Sequence, residues 1–415
     1  MVARVVNDAA CPGALHAVAA VDGLLARVRI PGGYIATDAF EALGDLAEAY
    51  GDGNFDITSR ANVQVRGISE TTRAAFGTGL ARAGLLPHEA HERVRNVVAN
   101  PFAGYDASEL VDVRATVRAF DDGLGCDVEL AALPAKCMFA IDGGGDSPVG
   151  ARADLALRAV GTRGDARFAL EVGGVDAGVT VPIADGAALL LASARTALAV
   201  ARVTAGDDRN WRIAAARPRG DGPTSAASRA PHGVMSAQDD VHANVVPSVP
   251  LGRMTAAQAR RVAALARDAA CEIRLGGWRG IALVGLKRTS LDDVVTTLDR
   301  IGLPVDNLAG FDGLAACAGS AGCAASHADV RADAVAFAAR VRAWQPGFTF
   351  ALHVAGCEKR CAMRGGADLD LVAQPGGYDL LERGVVVRAG VSAAVALDLA
   401  DEIRRAAIRR AESHA

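Results

Sequence analysis

FDITSRANVQVRGI, from Phe55 to Ile68, returns 218 residues further on as IRLGGWRGIALVGL, from Ile273 to Leu286, with Gly67 set against Gly285. The neighbouring stretches repeat as well. Pro12, Pro31 and Gly33 recur as Pro231, Pro250 and Gly252, each 219 residues on, and RAGLL (Arg82 to Leu86) recurs as RIGLP with Gly84 against Gly302. Further along, ARADLALRAVGTRGDARFALEVGG (from Ala151) parallels GADLDLVAQPGGYDLLERG (from Gly366), each a strand, a Gly-rich turn and a strand leading into an Ala-rich helix. Self-similarity over such spans means two halves of about 200 residues built alike and packed about a pseudo-two-fold axis.

Each half reads as strand, helix, strand, helix. GLLARVRI (Gly23 to Ile30) alternates as a strand and stops at Pro31-Gly32-Gly33. ATDAFEALGDLAEAYG follows with apolar residues at helical spacing and Thr37 or Asp38 as N-cap. Asn54 to Ile68 forms two short strand pieces joined near Ser59 to Asn62, and TTRAAFGTGLARAG a second helix closed by Gly84. The Gly-, Pro- and Ser-rich AARPRGDGPTSAASRAPHG separates the halves as a linker. The glycines of DGGGD (Asp142 to Asp146) lack the Lys-Ser/Thr of a phosphate loop and read as a turn, so the chain carries no nucleotide or flavin fingerprint.

A chain of 415 residues, 51% of them apolar, supplies ample core for about two to four domains. A net charge of −4 excludes the clustered basic excess of a nucleic-acid binder. No apolar run approaches the roughly 18 residues of a membrane span, and the N-terminal stretch has no export signal pattern, so a reducing, cytoplasmic setting is expected. There, paired cysteines bind metal or do redox work rather than form disulfides.

Such pairs stand in ACAGSAGCAAS, with Cys317 and Cys323, and in HVAGCEKRCAM, with Cys357 and Cys361. A C-x5-C pair, 33 intervening residues and a C-x3-C pair put four of the eight cysteines inside 45 residues. Soft thiolates in two matched turns select zinc or an iron–sulfur cluster, and the five-residue gap exceeds the usual zinc spacing of about two to four. Four buried free thiols are the bland alternative. Cys11, Cys126, Cys137 and Cys271 read as core thiols.

Chemistry is expected where the halves differ. At the 218-residue offset Cys317 falls on Ala99, so the first half has no thiol at the matching place. It has positive charge instead: Arg29 before the Pro-Gly-Gly turn, Arg60 and Arg66 in TSRANVQVRG, Arg95 in RNVVANP and Lys136 in LPAK. The second half has Trp278 at the position of Arg60 and Gly313 at that of Arg95. Arg60, Asn62, Gln64 and Arg66 alternate and so share one strand face. Arg forks pair bidentately with carboxylates, so this set reads as a pocket for a polyanionic ligand beside the cluster, against the alternative of a solvated sheet face.

Together the two cysteine pairs, the R-x-P-G-G turn at Arg29 to Gly33, TSRANVQVRG, RNVVANP and LPAK resemble the sirohaem nitrite and sulfite reductase superfamily over nearly the whole chain. Within it, CPGALHAV…DGLLARVRIPGG (from Cys11) and LPAKCMFAIDGG resemble the precorrin-3B synthases of the aerobic cobalamin pathway. The resemblance implies an α+β fold of two duplicated halves about the pseudo-two-fold. Ferredoxin-like halves would span 1–86 and 230–305, α/β domains 87–215 and 306–415, and the linker 216–229. It implies a [4Fe-4S] cluster on Cys317, Cys323, Cys357 and Cys361, with Cys361 in the place of the cysteine that bridges cluster to sirohaem iron. It also implies that Arg29, Arg60, Arg66, Arg95 and Lys136 hold an anion or macrocycle carboxylates, with Asn62 and Gln64 on the same substrate face. Nitrite and sulfite reductases carry a second basic residue two places after the Lys, where this chain has Met138, a departure that argues against a small oxyanion.

The activity so implied is O2-dependent oxidation of precorrin-3A by hydroxylation and lactone formation. Either a mononuclear non-haem iron or sirohaem would sit beside the cluster, and a separate protein would donate electrons. Sirohaem-dependent nitrite or sulfite reduction is the second expectation, a non-catalytic iron–sulfur carrier or redox sensor the third.

Overall fold

The alternating apolar residues of the first half make β1 (Val18–Ala20), β2 (Gly23–Val28), β3 (Tyr34–Ile35), β4 (Asn54–Ile57) and β5 (Val63–Ile68), with α1 (Thr37–Tyr50) and α2 (Arg73–Arg82). Next come β6 (Val97–Ala99), α3 (Arg114–Cys126), β7 (Phe139–Asp142), β8 (Leu155–Val160), β9 (Arg167–Val172), β10 (Val175–Pro182) and α4 (Gly186–Ala205). The second half repeats this order. It runs through β11 (Gly233–Ser236), β12 (His242–Val246), β13 (Arg253–Thr255), α5 (Ala256–Asp268), β14 (Glu272–Gly276), β15 (Gly280–Lys287) and α6 (Leu291–Arg300). It ends with β16 (Leu314–Ala316), α7 (Val330–Val341), β17 (Leu352–Ala355), β18 (Leu369–Gln374), β19 (Gly377–Glu382), β20 (Val385–Val391) and α8 (Ala393–Glu412). The structure, a computed structural model, describes residues 11–145, 153–205, 213, 231–237, 239–306, 310–341, 350–363 and 366–412; the linker expected at 216–229 lies outside them.

Two five-stranded antiparallel sheets trade an edge strand. The order β1-β2-β5-β4 is completed by β13 of the second half, and β11-β12-β15-β14 by β3 of the first. An open strand edge invites pairing with other chains; here each half closes the other's sheet. One apolar core runs through both, with α1 lying on α5. Phe40, Leu43 and Ala47 of α1 are fully buried at helical spacing. Small residues let the two helices approach: a Cβ on Gly44 would stand 2.9 Å from that of Ala259. The N-cap of α1 is Ala36 rather than Thr37 or Asp38; the Asp38 carboxylate sits in the first turn, where it complements the helix dipole.

The other two sheets each hold three parallel strands followed by two antiparallel ones, β6-β7-β8-β9-β10 and β16-β17-β18-β19-β20. Each carries its own core. The sequence repeat shows two strands before each Ala-rich helix, and the structure adds a third, β10 or β20. Both are exposed along most of their length and so present no apolar alternation to read. The expectation that no stretch reaches span length is corrected by Ile183–Val203, which is long and apolar enough to cross a membrane. Its composition has a local cause, since Leu190, Ala194, Leu198 and Ala201 are buried in the core of the first mixed sheet. Cys11, Cys137 and Cys271 are buried as expected, whereas Cys126 is exposed at the end of α3.

Gly33, at φ +75°, marks the crossing into the other half's sheet: a Cβ there would sit 2.1 Å from the Leu275 carbonyl oxygen. Gly33→Ala is expected to cost at least about 2 kcal/mol, read as a lowered urea midpoint. An unchanged midpoint would contradict a rigid exchange of edge strands.

Candidate functional site

β16 and β17 run parallel with Ala316 beside Val354, so the loops leaving them emerge at one end of the sheet. Cys317 follows β16 directly and Cys357 stands two residues past β17, which brings the two cysteine pairs to that end. The loops are tied together: the Gly356 N–H donates to Cys317 Sγ at 3.3 Å, and the His327 N–H donates to the Gly356 carbonyl at 2.8 Å. Position 356 has no room for a side chain, since a Cβ would stand 2.0 Å from Ser326 Oγ. Cys317, Cys323 and Cys357 are half-buried, Cys361 is exposed, and none of the four is in a disulfide. Among the described residues no three His, Cys, Asp or Glu side chains gather as ligands of one ion, so the expected mononuclear iron gains no ligand set there. Four thiols in two tied loops, with a backbone N–H on one sulfur, do fit an iron–sulfur cluster, whose potential is tuned by such hydrogen bonds and by access of water.

Behind the second loop lies a buried hydrogen-bonded pair. His353 of β17 and Asp370 of β18 are register partners, both fully buried, with Nδ1 2.9 Å from Oδ1. An ionised carboxylate only accepts, so Nδ1 carries the proton. Burial pushes the His353 pKa down, which keeps the ring neutral. Arg360 donates to Asp370 Oδ2 at 3.2 Å.

The cysteine loops face the first half's sheet. Arg66 on β5 forks onto Asp22 at 2.7 and 3.0 Å and also donates to the Gly322 carbonyl inside the first cysteine loop. Arg279, in the β14–β15 turn, donates to the Ala362 carbonyl next to Cys361. Asp56 of β4 accepts from Arg331 of α7 at 3.0 Å and from Arg253 of β13 at 3.1 Å. Arg27, Gln64 and Asp56 stand side by side across β2, β5 and β4.

Arg29 is the least compensated of the expected ligands. It is 2% exposed; Nη2 reaches the Pro12 carbonyl at 3.3 Å and Cys11 Sγ at 3.7 Å, while Nε and Nη1 have no hydrogen-bond partner among the described residues. Burial, with Arg27 and Arg60 close by, pulls its pKa down to about 9. An anion at this place would offset that cost. Arg60, in the β4–β5 turn, and Lys136, in the turn before β7, are half-buried.

The remaining expected ligands are engaged within the frame. Arg95 is buried and forks onto Asp121 of α3 at 2.8 and 2.6 Å. Asn62 accepts from the Ile30 N–H at 2.9 Å and donates to Asn96 at 3.4 Å. Arg60 and Asn62 precede β5, so the alternating strand face expected of four residues reduces to Gln64 and Arg66. Sequence reasoning missed Arg27, which alternates with Arg29 in GLLARVRI and could have been found by the same period of two. It also missed Arg331, whose contact with Asp56 joins the halves, and Arg279, which reaches Ala362 across two domains of the second half; neither contact leaves a local signal. Met138 is buried with Ala140, Ala153 and Ala156 in a small apolar cluster.

The second half has a matching face, and it is filled. Ala282 and Val284 stand for Gln64 and Arg66 at the 218-residue offset. They pack with Val246 and Phe102, and Phe102 stacks on Trp278 with ring centroids 5.8 Å apart.

The family described as "Nitrite/Sulfite reductase ferredoxin-like half domain" matches residues 17–81 and 236–301. The family described as "Nitrite and sulphite reductase 4Fe-4S domain" matches residues 90–198, and the two together take in more than half of the chain. The second match falls on the copy without cysteine pairs, whose element order β16 to α8 repeats. A precorrin-3B synthase from Sinorhizobium sp. is 27% identical over 389 residues, 90% of this chain and 83% of that protein. The ferredoxin–nitrite reductase of Synechococcus elongatus is 36% identical over 157 residues, which are 36% of this chain and 31% of that enzyme, so the match spans about a third of its length. Among solved structures, NirA of Mycobacterium tuberculosis has the same fold, with a TM-score of 0.70 at 21% identity over 92% of this chain and 80% of its own.

Arg95→Ala leaves the partly buried Asp121 carboxylate without its partner and is expected to cost about 1–3 kcal/mol, seen as a lowered unfolding midpoint. Removing Asp121 as well should recover part of the loss. A residue that served only to bind ligand would show neither effect.

Proposed function

The chain belongs to the nitrite and sulfite reductase superfamily, and from that premise we propose that it oxidises a carboxylate-bearing tetrapyrrole with O2, converting precorrin-3A to precorrin-3B. The observation that carries this reading is the buried Arg29 guanidinium, two of whose nitrogens have no hydrogen-bond partner among the described residues, with Arg27 and Arg60 beside it. Such a cation calls for a carboxylate, and the similarity to the Sinorhizobium protein runs nearly the whole length of both chains.

In this reading Cys317, Cys323, Cys357 and Cys361 hold a [4Fe-4S] cluster, which supplies single electrons when bound. Arg29, Arg60 and Lys136 bind the carboxylates of the macrocycle and fix its orientation. Positioning of this kind can lower a barrier by several kcal/mol, up to roughly 7–11 in the best cases. Arg66, clamped by Asp22, holds the first cysteine loop against the same face. The macrocycle gains one oxygen atom as hydroxyl while its neighbouring acetate closes as the lactone. The other oxygen atom leaves as water, with two electrons and two protons delivered by a separate donor protein.

Sirohaem-dependent reduction of nitrite or sulfite is the second reading, favoured by the 36% identity to ferredoxin–nitrite reductase. Against it stands Met138, buried among alanines where the reductases place a second base.

Single turnover of the reduced protein with precorrin-3A under labelled O2 is expected to put one labelled oxygen in the product; unlabelled product would overturn the proposal. Nitrite consumption by protein showing strong visible sirohaem bands would favour the reductase. Arg29→Ala is expected to weaken tetrapyrrole binding roughly tenfold or more, measured by titration. A carrier or sensor would bind no tetrapyrrole at all.

A further inference from the structure

We propose that Asp370 is the positioning residue of the second cysteine loop, holding the backbone that presents Cys361. The proposal rests on the iron–sulfur reading of the four cysteines. Asp370 lies on β18, hydrogen-bonded in register to β17, and is fully buried. Both carboxylate oxygens are committed: Oδ1 to His353 Nδ1 at 2.9 Å and Oδ2 to Arg360 Nη1 at 3.2 Å. Arg360 precedes Cys361 and holds φ at +45°, a left-handed conformation that a residue with a long side chain seldom adopts. Its N–H closes the turn onto the Cys357 carbonyl at 3.1 Å.

A strained backbone persists only where its surroundings over-determine it, and here they do so from two sides. Asp370 holds the Arg360 side chain before Cys361, and Arg279 donates to the Ala362 carbonyl after it. The pair is also costly to keep. His353 Nε2 is buried with no hydrogen-bond partner among the described residues, and an unsatisfied buried polar atom costs free energy. Groups that orient metal-binding loops from behind accept such costs. His353 holds the far side of the carboxylate and so keeps Oδ2 turned to Arg360.

The test uses full-length protein purified without oxygen. Asp370→Asn and Arg360→Met are each expected to shift the EPR g-values of the reduced cluster and to speed chelator-driven iron loss roughly tenfold or more. Arg360→Lys, which keeps a cation for Asp370, should stay near wild type. Arg360→Met alters a half-buried side chain and leaves the His353–Asp370 pair intact, so it decides the matter if Asp370→Asn does not fold. Wild-type g-values and iron-loss rates in Arg360→Met would overturn the proposal. Wild-type protein that binds no iron or sulfide would overturn the reading of the cysteines beneath it, a result seen without any variant.

Discussion

The exchange of β3 for β13 is the constraint on which the structure depends. Neither antiparallel sheet is complete within its own half, and the apolar residues of both share one core. The halves therefore have one relative placement, set by backbone hydrogen bonds and by the close approach of α1 to α5. That placement lays each mixed sheet's loops over the other half's antiparallel sheet. Arg66 reaches Gly322 and Asp56 receives Arg331 on one side; Tyr105 and Arg114 reach Glu272 at 3.2 and 3.1 Å on the other. A site composed across halves thus inherits its geometry from the fold.

Duplication supplied two such faces, and they diverged in opposite senses. One is cationic and half-desolvated, with two Arg29 nitrogens lacking a hydrogen-bond partner among the described residues; the other is packed with Val246, Ala282, Val284 and the Phe102–Trp278 stack. Burying apolar side chains stabilises a face without help, whereas burying guanidinium groups does so only when something anionic answers them. The loops facing them diverged to match. β6 ends at Ala99 and β16 at Ala316, so the residue after the strand is Asn100 in one copy and Cys317 in the other. Asn100 Nδ2 donates to Asp106 at 2.8 Å and to Glu109 at 3.3 Å, and burial pushes the Glu109 pKa up to about 7. An amide and carboxylates hold that loop where thiols stand in its twin.

Much of this was legible in the chain because duplication writes the fold twice. The pairing of Gly67 with Gly285, both at positive φ inside a strand, follows from a register shift that both copies need. The cysteine spacing was legible because ligand chemistry constrains residue type at short range. The strand exchange was not, since β3 and β13 are two and three residues long and their partners lie in the other half. A fixed offset also cannot follow loops of unequal length, which is why Cys317 aligned with Ala99 by counting and meets Asn100 in space. Arg95 and Asn62 looked like ligands because polarity in an apolar segment has two causes. Only the fold distinguishes a group that answers a neighbour, as Arg95 answers Asp121, from one such as Arg29, two of whose nitrogens have no hydrogen-bond partner among the described residues.

In the proposed function, thiols of the second copy hold an iron–sulfur cluster against the cationic face of the first. Its most direct test is the iron and acid-labile sulfide content of protein purified without oxygen. About four of each per chain are expected; stoichiometric zinc without sulfide, or no metal at all, would contradict a cluster on these thiols.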